Sequence, residues 1–348
     1  MRCYPAFDGC KKGIDHLFVE RGKRVQKRLR NQFKKWLDIL GLNTQKSSHK
    51  VLAHSHLGWI LSEMGKRVLM IDADSQCNLT GLCLSLAGTE DIEEFYNYSG
   101  IDNIKTSLEP VFEGLPKRLE PAKCFEFSNR EDLYLLLGHT GFTELDVTIG
   151  IAQELKRSLR KTQNIPGVIN YLINITSREY GFDYVLIDMS PSVSATNANL
   201  LMQSDYFIIP CSPDYFCNMA IHSLALVLPE WKNTYDNIRR HQIFQNAEYR
   251  FSNTLPKFIG TILQRYRPKN GVPAISFQSC IGKINHNVAT NLVPTLREHG
   301  MLINEEMFGT TRIDGGPYNL VNISDFNSLI AQSQKLQHSC FCSVRRTN

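Results

Sequence analysis

The sequence predicts an α/β protein with a doubly wound, mostly parallel sheet and helices on both faces. Three observations carry that expectation. Short apolar runs, such as those within 66–71 and 184–187, alternate with longer segments of helical period along most of the chain. The runs are apolar almost throughout rather than at every second residue, which is the pattern of strands covered on both sides. Two of them end in carboxylates, Asp72 with Asp74 and Asp188, and open α/β sheets put their ligand chemistry at the carboxyl ends of parallel strands.

The elements follow in order. Residues 1–36 form a basic arm. Of the 39 Lys/Arg residues, 13 fall in residues 1–50 against 4 of the 34 Asp/Glu residues, so this stretch carries +9 and the remainder −4, within a net charge of +5. Val25, Leu29, Phe33, Trp36, Leu37 and Leu40 recur at helical spacing with Arg24, Lys27, Arg28, Arg30, Lys34 and Lys35 between them, as in a basic amphipathic helix. Two readings fit it: a helix that docks its apolar stripe and leaves its charges solvated, or a contact with nucleic acid or an anionic surface. Residues 37–42 suit either the end of that helix or a first strand. A helix over 54–64 carries Leu57, Ile60, Leu61 and Met64 on one face and stops at Gly65, before the strand 66–71. The region 85–130 is less regular, with an acidic, aromatic segment (GTEDIEEFYNYSG) and a helix around 108–112. A strand at 133–139, helices at 144–159 and around 168–177, and strands at 184–187, 206–209 and 258–263 complete a single α/β domain over 37–334, with a tail at 335–348.

Composition narrows the function classes. A chain of 348 residues with 42% hydrophobic and 21% charged content suits a soluble globular protein. No run reaches the length of a membrane span, and the N-terminus lacks a secretory apolar stretch, so a cytoplasmic protein is expected. The ten cysteines form no C-x-x-C pair, consistent with reduced thiols. The ten histidines form no H-E-x-x-H motif; His54 and His56, two apart on a helix, point to different sides and read as ordinary surface or core residues.

IDADSQCNLTGL (71–82), FDYVLIDMSPS (182–192), the Asn199, Leu200, Leu201 run before DYFIIPCSPDYF (205–216), and ISDFNSLIAQSQ (323–334) together resemble the ParA/MinD group of partition and positioning ATPases, over most of 43–334. The resemblance implies a P-loop NTPase-like fold, ATP and Mg2+ as cofactors, and a homodimer with ATP between its subunits. It further implies nonspecific DNA binding, a partition partner protein that stimulates hydrolysis, and a role in segregating DNA or other cargo. Position by position, Asp74 resembles the switch carboxylate that orients the attacking water, and Asp188 the carboxylate that holds magnesium through water. Asp72, two residues before Asp74, is a further candidate for the nucleotide and its metal.

The departure lies at the phosphate loop. The family pattern K-G-G-x-G-K-[ST]-T falls without a gap on Gln45, Lys46, Ser47, Ser48, His49, Lys50, Val51 and Leu52, and of its signature residues only Lys50 is retained. Glycines let backbone N–H groups close on phosphates and allow left-handed conformations. Side chains at Lys46, Ser47 and His49 crowd such a nest, and Val51 puts a methyl-bearing group where magnesium needs an oxygen. These positions remain the nucleotide-binding candidates. The basic segment LQRYRPKNG offers Arg265, Arg267 and Lys269 as DNA-binding candidates or as a solvated loop. The expected function is partition or positioning with nucleotide turnover impaired; the alternative is a non-catalytic interaction module that keeps the fold. A cluster-bearing reductase wants paired cysteines and a tyrosine kinase a tyrosine-rich tail, and neither feature is present.

Overall fold

The computed structural model describes residues 2–3, 49–89, 91–154, 163–266, 268–269, 272–273, 275–304 and 316–324. The described residues fall into two compact units, the first within 1–6, 50–206 and 227–256, the second within 7–49, 207–226 and 257–348. The expected basic helix, the strand at 37–42 and the tail at 335–348 lie outside the described residues, as do Gln45, Lys46, Ser47 and Ser48.

The first unit is organised by a sheet of five strands: β1 (Arg2–Cys3), β2 (Val68–Ala73), β3 (Phe125–Glu126), β4 (Leu133–Leu136) and β5 (Tyr184–Met189), in the order β1-β5-β2-β4-β3. β2 runs parallel to both β4 and β5, with Val68 opposite Leu133 and Tyr184; β1 and β3 close the edges as antiparallel strands. β2 is buried at all six positions and β4 at all four, as their unbroken apolar sequences require. The pairing of Arg2 and Cys3 with Val185 and Tyr184 places the first residues of the expected arm on this sheet.

Helices of this unit are α1 (His49–Glu63), α2 (Asn78–Leu86), α3 (Ile92–Tyr98), α4 (Ile104–Phe112), α5 (Glu144–Glu154), α6 (Ile165–Tyr180) and α7 (Ala195–Met202). Each boundary has a local cause. Gly65, at φ +72°, ends α1 as expected. Asp91 accepts from Glu94 N to cap α3, and Asn103 with Thr106 forms a capping box for α4. α6 starts earlier and ends later than its apolar period suggests, because Pro166 suits a first turn and Gly181, at φ +68°, closes the last. The strand expected at 133–139 stops at Leu136, since Gly138 N donates to the Thr80 hydroxyl instead of a neighbouring strand. Leu69, Ile71, Leu136, Val168, Leu172 and Val185 are among the buried side chains of the core, which Tyr134, Tyr180 and Phe182 extend with edge-to-face and stacked rings.

One helical glycine sets how closely α6 can approach its neighbour. A Cβ on Gly167 would lie 2.0 Å from the Tyr249 carbonyl oxygen and 2.7 Å from the Arg250 carbonyl. Because the clash is with backbone, Gly167→Ala is expected to destabilise the protein by about 3 kcal/mol, the upper end for overpacking. Urea denaturation should show a lower midpoint at unchanged slope.

The second unit holds the sheet β10-β7-β6, formed by β6 (Tyr206–Cys211), β7 (Lys257–Tyr266) and β10 (Asn319–Ser324), with β10 parallel to β7. β8 (Pro268–Lys269) and β9 (Val272–Pro273) form a short antiparallel pair. The long helix α8 (Tyr215–Arg240) belongs to this unit as far as Leu226 and to the first unit beyond it. α9 (Gln242–Gln245) lies in the first unit, and α10 (Ile275–Asn287), a π-helical turn (Val288–Leu292) and α11 (Val293–Glu298) lie in the second. The architecture is α/β, with mostly parallel strands and helices between them. Among the described residues no helix is long and apolar enough to cross a membrane.

Candidate functional site

The parallel register of β2 and β5 sets Asp72 directly opposite Asp188. Registered residues on adjacent strands point to the same face, so two carboxylates share one pocket of the sheet edge. Both are fully buried, and Asp74, just past the end of β2, is 7% exposed. The three acids singled out by sequence are thus brought together at the carboxyl ends of neighbouring strands.

Their surroundings differ. Asp72 is the acceptor that holds the turn between β2 and α2. Its Oδ2 accepts from Thr80 N and from the Thr80 hydroxyl, each at 2.8 Å, and its Oδ1 accepts from Asp74 N at 3.2 Å. Burial pushes the Asp72 carboxyl up to about 6, with the Thr80 hydrogen bonds opposing that shift and the Asp188 charge adding to it. The turn is tightened by Asp74, whose Oδ1 accepts from Gln76 N and whose carbonyl accepts from Cys77 N. Cys77 takes a left-handed conformation, φ 53°, immediately before α2, a position where a residue other than glycine carries strain. Its thiol is raised to about 12, first by burial and then by the charges of Asp72 and Asp74, so it stays protonated at neutral pH.

Thr80 passes the contact onward. Its hydroxyl accepts from Gly138 N at 2.9 Å, and the Gly138 carbonyl accepts from the Tyr96 hydroxyl at 2.6 Å. Gly138 must be glycine: a Cβ there would meet Asp72 Cγ at 2.9 Å. A continuous chain of hydrogen bonds therefore joins β2, α2, the end of β4 and the acidic helix α3.

Asp188 has a different neighbour. His54 Nδ1, on α1, lies 3.6 Å from Asp188 Oδ1. His54, read from sequence as an ordinary histidine, belongs to this cluster. The available signal was its spacing: four residues after Lys50 on the same helix, it falls on the same face. Thr80 lay within the motif already singled out, whereas Gly138 and Tyr96 carried no local pattern. His49, Lys50 and Val51 form the first turn of α1. Of the DNA-binding candidates, Arg265 lies on β7 and Lys269 on β8, and Arg267 is outside the described residues. Among the described residues no group of three or more His, Cys, Asp or Glu side chains is arranged to hold a metal on its own.

With this geometry in place, likeness to known proteins becomes informative. The sequence profile of the AAA domain family matches residues 43–240, more than half of the chain. Uncharacterized protein MJECL24 of Methanocaldococcus jannaschii is 25% identical over 63% of this chain and 69% of its own length. An uncharacterized protein of Pseudomonas putida is 27% identical over 56% of this chain and 59% of its own length. The sporulation initiation inhibitor protein Soj of Bacillus subtilis is 26% identical over 58% of this chain and 66% of its own length. The chain thus spans about three fifths to two thirds of these relatives. Among solved structures, protein DIP2308 of Corynebacterium diphtheriae superposes with a TM-score of 0.51 at 19% identity, covering 70% of this chain and 86% of that one. The Cyanothece McdA–ATP complex gives 0.51 at 14% identity, covering 87% and 93%. Both likenesses concern the fold.

Proposed function

The chain belongs to the AAA domain family and, within it, to the ParA/MinD type of P-loop ATPase fold, and from that premise we propose that it acts in partition or positioning of DNA or another cargo with its nucleotide turnover impaired. The observation that carries the reading is the register of Asp72 with Asp188, which sets a pair of acids beside Asp74 at one sheet edge. In this reading Asp188 faces the cation side, Asp74 is the switch carboxylate, and Asp72 holds the turn on which Asp74 stands. The remaining nucleotide candidates, Lys46, Ser47, Ser48, His49, Lys50 and Val51, would frame the phosphates.

The donor set does not fit a catalytic magnesium–triphosphate. Val51 offers no oxygen, and the group beside Asp188 is the imidazole of His54 rather than a hydroxyl. Three hydrogen bonds already converge on the Asp72 carboxylate. This mismatch favours a second reading, a non-catalytic module that keeps the fold and its partner surfaces. A homodimer, nonspecific DNA contact through Arg265, Arg267 and Lys269, a partition partner protein and a cytoplasmic setting belong to the same proposal.

Melting the protein with and without millimolar Mg-ATP separates the two readings. A ligand that binds only the folded state raises the melting temperature, with a stabilisation that grows as the logarithm of its concentration over Kd. A rise that depends on Mg2+ supports a nucleotide-binding switch, and an unchanged midpoint supports the non-catalytic module.

A further inference from the structure

In the second unit a cavity of about 640 Å3 opens between the first half of α8 and the α10 helix with its π-helical turn. The α8 wall carries Tyr215, Met219 and His222 beside Asn218 and Ser223. Tyr215 and Met219 are 70% and 51% exposed, and Leu226, 62% exposed just past the lining, continues their line through the exposed His222 at intervals of four, three and four residues. That spacing keeps them on one stripe of the helix, about 16 Å long at 1.5 Å per residue. The opposite wall presents the exposed Lys283 and His286. Counting His222, the lining among the described residues holds one lysine and two imidazoles and no carboxylate. The floor is closed by the protein itself. Asn287 Nδ2 donates to Asn218 O at 2.8 Å and lies 3.1 Å from Asn218 Oδ1, while Asn291 donates to Asn287 Oδ1 at 2.6 Å. These amides satisfy one another, which argues against a small polar ligand recruited by them. π-Helical turns occur often at functional sites.

We infer that this groove docks an acidic amphipathic helix of a partner protein. The occupant's apolar residues would lie along Tyr215, Met219 and Leu226, and its carboxylates would face Lys283, His222 and His286. An amphipathic helix laid in a groove presents apolar anchors about one turn apart, and Tyr215, Met219 and Leu226 offer it apolar contacts along α8, with His222 as the polar position between them. Charge on the facing wall selects the sign of the partner. The inference gives a surface to the partner protein of the proposed function, yet shares no residue with the carboxylate site. Its failure would leave the nucleotide reading standing, and a negative Mg-ATP result would leave the groove standing.

The test uses the full chain and two fluorescein-labelled sixteen-residue peptides with leucine at positions 1, 5, 8 and 12, one flanked by glutamates and the other by lysines. Fluorescence anisotropy is expected to show the glutamate peptide binding at least 10-fold more tightly. Lys283→Glu should reverse that preference. Met219→Asp, at an exposed position, should weaken the glutamate peptide at least 10-fold while leaving the melting temperature unchanged. Equal binding, preference for the lysine peptide, or no binding of either overturns the proposal. So does light scattering that finds a wild-type dimer which Met219→Asp splits into monomers, because the face would then belong to a second copy of the chain.

Discussion

Replacing Asp72 with asparagine is expected to remove about 3 kcal/mol of pH dependence from stability between about pH 4 and pH 6. Burial raises the Asp72 carboxyl from 3.8 to about 6 in the folded protein. The folded state therefore holds a proton that the unfolded chain releases over this window, and stability falls as pH rises through it. Below about pH 4 both states are protonated and the burial cost is absent. Above about pH 6 both are ionised and the loss is complete; roughly two pKa units correspond to about 3 kcal/mol. Asparagine cannot ionise, so the stability of Asp72→Asn relative to the native chain should improve by that amount from pH 4 to pH 7. Urea denaturation at the two pH values measures it. A constant difference between the proteins would mean that Asp72 does not titrate in the window, and that its three hydrogen bonds outweigh its burial.

Asp72 also shows how far the sequence could be read. Its neighbourhood was legible because the VLMI run before it is apolar on both faces, and a matching run precedes Asp188. Two such strands in a parallel sheet bring their terminal acids together whatever the details of the loops. What each carboxylate does was not legible. The Asp72 oxygens are engaged by Thr80 and the Asp74 amide, across a turn in which Cys77 is left-handed. Residue types alone give no sign of that conformation. The sequence does not pair His54 with Asp188, because the contact joins residues far apart along the chain and His54 has no metal-ligand spacing around it. Nor does the sequence mark α3 as a helix. Its residues IEEFYNY mix acidic and aromatic side chains without a stripe, and the helix is held by the Asp91 cap and the Tyr96 hydrogen bond to Gly138.

Rebuilding the phosphate loop should have the largest effect on function. Gln45→Lys, Lys46→Gly, Ser47→Gly, His49→Gly and Val51→Thr, with Lys50 retained, restore the glycines and the hydroxyl of the family pattern. Three changes act together: backbone N–H groups gain access to phosphates, a magnesium ligand appears at Val51, and a lysine returns at Gln45. If ATP then binds with millimolar nucleotide at about 100 times Kd, the repaired protein should gain about 2.7 kcal/mol of stability in Mg-ATP, where the native chain gains little. Asp188→Ala in the repaired background should abolish the gain, because the cation would lose its carboxylate. His54→Ala in that background should leave the gain intact or enlarge it, since it clears the imidazole that lies 3.6 Å from Asp188 and competes with the cation for it. Differential scanning fluorimetry and phosphate release report binding and turnover separately. A repaired protein with neither would show that the acids at the ends of β2 and β5 serve the turn and the sheet alone. One that binds Mg-ATP without hydrolysing it would place the remaining defect at Asp74, whose Oδ1 is held by Gln76 N.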